Sequence, residues 1–255
     1  MGKTFWTGNL HQRQNVAVIV ARCQIIAGRW QNVAMRLILI RHGQTASNLG
    51  RHLDTAVPGA PLTELGIEQA QALAQTLRGE RIDAIYCSTL LRTQQTALPL
   101  ADERGLEMRI RSGIREISAG ILEMANDEES IRTYLDVVMG WADGEEQGKI
   151  PGTDRTGAAI LGDFDEVVNE ILDSGVESAA VFSHGAIMRA WAGSRAVNLA
   201  PGFAGRTTLS NTGVVLLDFV GGQWIVTQWQ EQALDTHAGE SRDTGGASEQ
   251  IRMVE

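Results

Sequence analysis

The chain has 255 residues, 43% of them hydrophobic and 21% charged, the proportions of one soluble globular domain able to bury a substantial core. A formal net charge of -9, with no basic run or stripe, argues against nucleic acid and anionic membrane as partners, so any anion site must be local. Only Cys23 and Cys87 are present, far apart and outside any Cys-x-x-Cys spacing, which excludes a disulfide framework and a cysteine-based zinc site and fits a reducing cytoplasm.

The apolar stretch 16–28 contains Arg22 and Gln24 and falls short of the roughly 20 residues of a spanning helix. It is also a poor secretory signal, because Arg22 and Arg29 interrupt it and no Ala-x-Ala site follows. Residues 1–34 read as an N-terminal extension. Either they come from an upstream start, with Met35 the biological one, or they form a helical arm packed on the domain.

The run Leu37-Ile38-Leu39-Ile40 has no polar alternation, as expected of a central strand covered on both faces, and it ends in Arg41-His42-Gly43. Ligands of open α/β sheets bind beyond the carboxyl ends of strands, which is where Arg41 and His42 fall. An imidazole can attack phosphorus, while a neighbouring guanidinium holds two phosphate oxygens in a fixed fork. Gly43 is expected to let the backbone approach the anion closely.

A loop over 46–61 leads to a helix capped by Thr63, with Ala70, Leu73, Ala74 and Leu77 on one apolar face. Residues 82–87 form a second strand, and a helix follows with Arg92 in its first turns, where backbone donors and the dipole favour anions. Alone, Arg92 reads equally as a solvated surface residue. Residues 107–111 predict a short strand. Residues 126–148 shift to an acidic, helix-forming segment read as a cap, and the acidic residues from Glu123 to Glu146 read as a solvated face. Metal ligation there is the poorer reading, since no Asp-x-Asp-x-Asp-Gly loop appears. Residues 156–172 predict an amphipathic helix. Then 179–185 repeats the opening design, an apolar strand ending in Ser183-His184-Gly185, followed by a helix over 186–192. Alone, His184 reads equally as a core histidine. Gly221-Gly222 between 214–220 and 223–229 signals a hairpin. The polar residues 233–255 read as a disordered tail. The alternation predicts a three-layer α/β/α sandwich with a mostly parallel central sheet, an antiparallel edge hairpin and a helical cap insertion at about 121–155.

Taken together, Arg41-His42-Gly43-Gln44-Thr45 with Asn48, Pro61-Leu62-Thr63 with Gly66 and Gln69-Ala70, Leu91-Arg92 with Gln95-Thr96-Ala97, Arg115-Glu116 with Gly120, and Ser183-His184-Gly185 form an ordered set. Over residues 35–232 the chain resembles the histidine phosphatase superfamily, in its phosphoglycerate mutase-like branch. The resemblance implies that His42 is a nucleophile forming a phosphohistidine and that Arg41, Arg92 and His184 line the phosphate pocket. It implies that Glu116 is the proton donor, with Thr45, Asn48, Gly185 and Arg51 as further phosphate or substrate contacts. No metal and no cofactor are expected, and the partner is a phosphorylated small molecule. A departing alkoxide needs a proton, so the donor must hold one when substrate is bound, which a dianionic phosphate encourages.

Several positions depart from the family pattern. Arg51-His52-Leu53-Asp54 lacks the glycine of an Arg-x-x-Gly element, and Ile121-Leu122-Glu123-Met124 replaces an aromatic or Glu-Gly step. Ser88-Thr89 stands where proline is usual, and Gly152-Thr153-Asp154 where many members show Gly-Glu-Ser. Gly43-Gln44-Thr45 and the acidic cap favour hydrolysis of a phosphomonoester with a small or weakly charged leaving group over mutase transfer. A non-catalytic phosphate-binding module is the third reading. Met124, Tyr134, Met139 and Trp141 of the cap either shape an apolar substrate pocket or pack on the domain. The sequence leaves the oligomeric state open.

Overall fold

A computed structural model describes residues 33–234. Strand β1 (Val33–Arg41) begins two residues before Met35 and ends at the arginine of the first motif. It is followed by α1 (Ala46–Leu49), α2 (Glu64–Thr76), β2 (Ala84–Cys87), α3 (Leu91–Arg104) and β3 (Met108–Ile110). The second half contains α4 (Glu128–Ala142), α5 (Gly157–Asp173), β4 (Ser178–Ser183), α6 (Gly185–Arg195), α7 (Phe203–Arg206), β5 (Val214–Val220), β6 (Gln223–Trp229) and β7 (Gln232–Ala233).

The seven strands form one sheet in the order β3-β2-β4-β1-β5-β6-β7. The first four are mutually parallel, and β5, β6 and β7 continue antiparallel. The hairpin around Gly221-Gly222 therefore lies one strand in from the edge, because the main chain turns back at Gln230 and adds β7. Leu234 packs against the core beyond it, so order extends slightly into the stretch expected to be tail. The remainder of that tail and the expected extension, up to residue 32, lie outside the described residues.

The absence of alternation in β1 has a direct explanation. Leu37 and Leu39 join a core on one face with Phe164, Trp191 and Trp141, while Ile38 and Ile40 join a core on the other with Leu73 and Leu100. A strand between two helical layers has no face for polar residues. Parallel pairing of β1 with β4 sets Arg41 opposite Ser183. The next residue of each strand is a histidine, so register alone brings His42 and His184 together.

The segment expected to cap the sheet is built into the domain. Tyr134, Val138 and Trp141 of α4 belong to the same core as Leu37 and Leu39. The Trp141 indole donates to the Gly148 carbonyl at 3.1 Å and lies flat on Gly157, where a Cβ would approach its ring to 2.5 Å. Of the four cap residues named from sequence, Trp141 and Met139 are packing residues, Met124 is half exposed, and Tyr134 alone reaches the cavity described next.

Candidate active site

A cavity of about 450 Å³ opens at the carboxyl end of the parallel strands. Arg41, His42, Arg92, Glu116 and Gly185 line it, as do Thr45, Asn48 and Arg51 from α1 and its two ends. His184 stands behind this wall, fully buried, with its ring centroid 5.2 Å from that of His42.

The His42 imidazole is oriented by its own backbone, Nδ1 lying 2.7 Å from the Gly43 carbonyl oxygen. A carbonyl only accepts, so Nδ1 carries the proton and Nε2 keeps its lone pair. Burial, reinforced by Arg92 and Arg41, holds this imidazole well below its ordinary value of 6.5, and it is neutral near pH 7. His184 pairs through Nε2 with the Ser88 hydroxyl at 2.7 Å, and its buried Nδ1 has no protein partner. Burial also holds His184 well below 6.5, with Arg92 and His42 adding to the effect.

The guanidiniums are similarly part-tethered. Arg41 donates from Nη1 to the Leu209 carbonyl at 2.5 Å, and its buried Nε has no protein partner. Arg92 donates from Nη2 to the Asp54 carbonyl at 2.9 Å, while Nε and Nη1 make no hydrogen bond and Nη1 lies 3.7 Å from the Asp54 carboxylate. Burial lowers the pKa of both, opposed chiefly by the Glu116 carboxylate. Glu116 itself is fixed at the start of α6, accepting from the backbone N–H groups of Ala186 at 3.2 Å and Ile187 at 3.0 Å. Arg41 and Arg92 thus border one cavity with buried donors that make no hydrogen bond, a donor set suited to an oxyanion.

Other expected contacts have local duties. Thr45 and Asn48 form the capping box of α1, each side chain accepting from the other's backbone N–H, and Asn48 Oδ1 also accepts from Asn211 at 3.0 Å. Arg51 is exposed at the rim. Gly43 has a packing duty. A Cβ there would lie 2.7 Å from the Gly66 carbonyl oxygen, and one on Gly66 would lie 2.2 Å from the Gln44 carbonyl oxygen, so the two glycines let α2 pack on the turn that follows β1. Gln69 and Thr96 secure that turn, accepting from the N–H groups of Gln44 and Gly43.

Sequence reasoning missed Asn211, whose amide donates to the His42 carbonyl at 3.2 Å, and Arg189 on α6, which lines the cavity while held on the Ala204 and Gly205 carbonyls. It also missed Ile131 and Leu135, the apolar wall that α4 adds with Tyr134. The acidic residues Asp127, Glu128, Glu129 and Asp136 face solvent, so the cap meets the cavity with hydrocarbon rather than charge. Among the described residues no three His, Cys, Asp or Glu side chains gather as metal ligands, and no helix is long and apolar enough to cross a membrane.

The two buried imidazoles have a consequence for acid stability. Both fold neutral with depressed pKa, so the unfolded chain takes up their protons first on acidification. The associated stability is fully present above about pH 6.5 and falls as pH drops towards the folded values, by up to about 1.4 kcal/mol per pH unit for each group. Urea midpoints between pH 7.5 and 5 are expected to fall more steeply for wild type than for His184→Gln. Equal slopes would show that burial of neutral His184 is not the source.

Comparison with known proteins identifies the family. The model of the histidine phosphatase superfamily, branch 1, matches residues 37–232. A Yersinia enterocolitica protein named Probable phosphoglycerate mutase GpmB is 30% identical over 214 residues, covering 79% of this chain and 94% of that relative. The Mycobacterium tuberculosis PE-PGRS family protein PE_PGRS11 is 51% identical over 85 residues, which cover 33% of this chain and 15% of that longer relative. Among solved structures, the Entamoeba histolytica phosphoserine phosphatase in complex with 3-phosphoglyceric acid superposes with a TM-score of 0.64 at 26% identity, covering 77% of this chain and 96% of that one. The chain belongs to the histidine phosphatase superfamily.

Proposed function

We propose that the protein is a metal-independent phosphomonoester hydrolase that works through a phosphohistidine on His42, with Glu116 as proton donor. The observation that carries this reading is the orientation of His42, with Nδ1 on the Gly43 carbonyl and a free lone pair on Nε2, beside buried donors of Arg41, Arg92 and His184 that make no hydrogen bond to the protein.

On this reading Nε2 attacks phosphorus while the ester P–O bond breaks and its electron pair leaves with the alkoxide. The Glu116 carboxyl gives that oxygen a proton. Arg41, Arg92 and the Nδ1–H of His184 hold the equatorial oxygens as charge redistributes over them. Water then attacks the phosphohistidine, Glu116 takes its proton, and the P–N electron pair returns to the imidazole. Thr45, Asn48, Gly185 and Arg51 border the substrate. Domain assignment follows the same reading, with residues 35–232 as the catalytic unit and 121–155 as the segment that shapes the leaving-group side.

The apolar wall of Ile131, Tyr134 and Leu135 favours a leaving group with hydrocarbon to bury, and hydrolysis rather than transfer to a second highly charged substrate. The phosphatase and mutase names of the relatives leave both outcomes to a direct assay. Phosphate release from 4-nitrophenyl phosphate and from 3-phosphoglycerate, measured with a chelator present throughout, is expected for the wild-type protein. Interconversion of phosphoglycerates without net release would instead make it a mutase, and activity abolished by the chelator would remove the claim of metal independence.

A further inference from the structure

The loop after α1 and the segment entering α4 are bound to each other, and their junction bears on Arg92. On the proposed reading Arg92 is a phosphate clamp, and the one hydrogen bond of its guanidinium to protein is the 2.9 Å donation to the Asp54 carbonyl. The direction of the guanidinium therefore depends on residue 54. The same loop passes close by at Gly59, where a Cβ would lie 2.4 Å from Arg92 Nη1. The Asp54 carboxylate is 3.7 Å from Nη1 and accepts from the Ser47 hydroxyl at 2.7 Å and the Ala60 N–H at 2.9 Å.

What fixes the Asp54 carbonyl from the other side is Glu123. Its Oε1 accepts from the N–H groups of Thr55 at 2.8 Å and Ala56 at 3.0 Å, and its Oε2 from the Thr55 hydroxyl. The buried Thr55 hydroxyl in turn accepts from the Ala119 N–H at 2.9 Å. Two backbone bonds close the junction, Met124 N–H to the Leu53 carbonyl at 3.0 Å and Leu53 N–H to the Ala125 carbonyl at 2.9 Å. Three donors on one carboxylate hold a stretch that has no strand or helix of its own, and they hold it at the residues after Asp54. A charged acceptor makes these bonds stronger than neutral ones would be.

We propose that Glu123 is a positioning residue for Arg92. By gathering Thr55 and Ala56 it fixes the Asp54 carbonyl, and with it the direction in which Arg92 offers Nε and Nη1 to a phosphate. It also links that clamp to the entrance of α4, the helix that supplies the apolar wall.

The test is a double-mutant cycle read by calorimetric titration with inorganic phosphate and by kcat/KM for 4-nitrophenyl phosphate. Displacing a positioning contact costs on the order of tenfold, so Glu123→Ala is expected to weaken phosphate binding and lower kcat/KM by about that factor. In an Arg92→Lys background the same change is expected to cost less than about twofold, because its effect runs through Arg92. Thr55→Val, which removes the hydroxyl standing between Glu123 and the Ala119 N–H, and Glu123→Gln, which takes the charge from the acceptor while keeping one oxygen for the Thr55 and Ala56 N–H groups, are expected to give smaller losses with the same dependence on Arg92, and they carry the cycle if the alanine variant does not fold. Full additivity, or unchanged phosphate binding in folded variants, would overturn the role of Glu123. A wild-type protein that neither binds phosphate nor releases it would overturn the proposed function and this role with it.

Discussion

Replacement of His42 by alanine is expected to lower kcat for an aryl phosphate by about 10⁴-fold or more, about 5.5 kcal/mol of transition-state stabilisation at 1.36 kcal/mol per decade, and to abolish covalent labelling by substrate. The loss of one imidazole would be unremarkable if either of the two could serve. They are 5.2 Å apart, similarly buried and both neutral, and differ in how each is tethered. His42 is held at Nδ1 by a carbonyl, which fixes the tautomer and frees Nε2 for attack. His184 is held at Nε2 by the Ser88 hydroxyl, a group able to donate, so that its Nδ1 proton can point to the phosphate. His184→Ala is therefore expected to cost about 10²-fold, the scale of removing one oxyanion donor, while still forming the covalent species. Phosphohistidine survives alkali and is lost in acid, so label trapped under alkaline quench and mapped to the peptide bearing His42 would be decisive. Label retained in His42→Ala and lost in His184→Ala would reverse the assignment.

How far the sequence carries this picture depends on the range of the interactions involved. The strands at 37–40 and 179–183 and the helix starting after Thr63 are legible because burial on two faces and a side-chain cap leave marks within a few residues. A site shared by Arg41, His42, Arg92, Glu116 and His184 was expected from the resemblance, and the sheet register supplies the physical cause for the two histidines by aligning Arg41 with Ser183. Asn211 left no such mark. It lies in a loop with no periodicity, and its bond to the His42 carbonyl spans 169 residues. Glu123 was read with the acidic run of the cap because composition cannot tell a solvated carboxylate from one that gathers three donors. The same limit applies to the charge argument for hydrolysis. The acidic residues were counted correctly, but α4 turns them outward and offers Ile131 and Leu135 to the cavity. The packing duty of Gly43 was illegible for a related reason, since only the packed chain shows that Gly66 occupies the space a side chain would need.

Glu116→Gln is expected to separate the two halves of the reaction. The amide keeps one oxygen to accept from the Ile187 N–H and gives up the acceptor facing the Ala186 N–H, so the side chain stays near its place on one of the two bonds, but it has no proton to give. An alkyl phosphate, whose alkoxide is a poor leaving group, is expected to lose about 10²- to 10³-fold in kcat/KM, the usual scale of general acid catalysis. For 4-nitrophenyl phosphate the departing phenolate needs no proton, and kcat/KM, which ends with the first phosphoryl transfer, is expected to fall less than about tenfold. Its kcat should nevertheless drop further, because hydrolysis of the phosphohistidine then lacks the carboxylate that accepts the water proton. The two effects together predict a burst of nitrophenolate equal to the enzyme concentration, followed by a slow steady rate, in a variant whose wild-type parent shows a smaller burst or none. Equal losses in kcat/KM for both substrates would mean that Glu116 orients the start of α6 or the phosphate instead of supplying the proton. The donor would then have to be sought among the other groups lining the cavity, of which the Asp54 carboxyl beside Arg92 is the first to test.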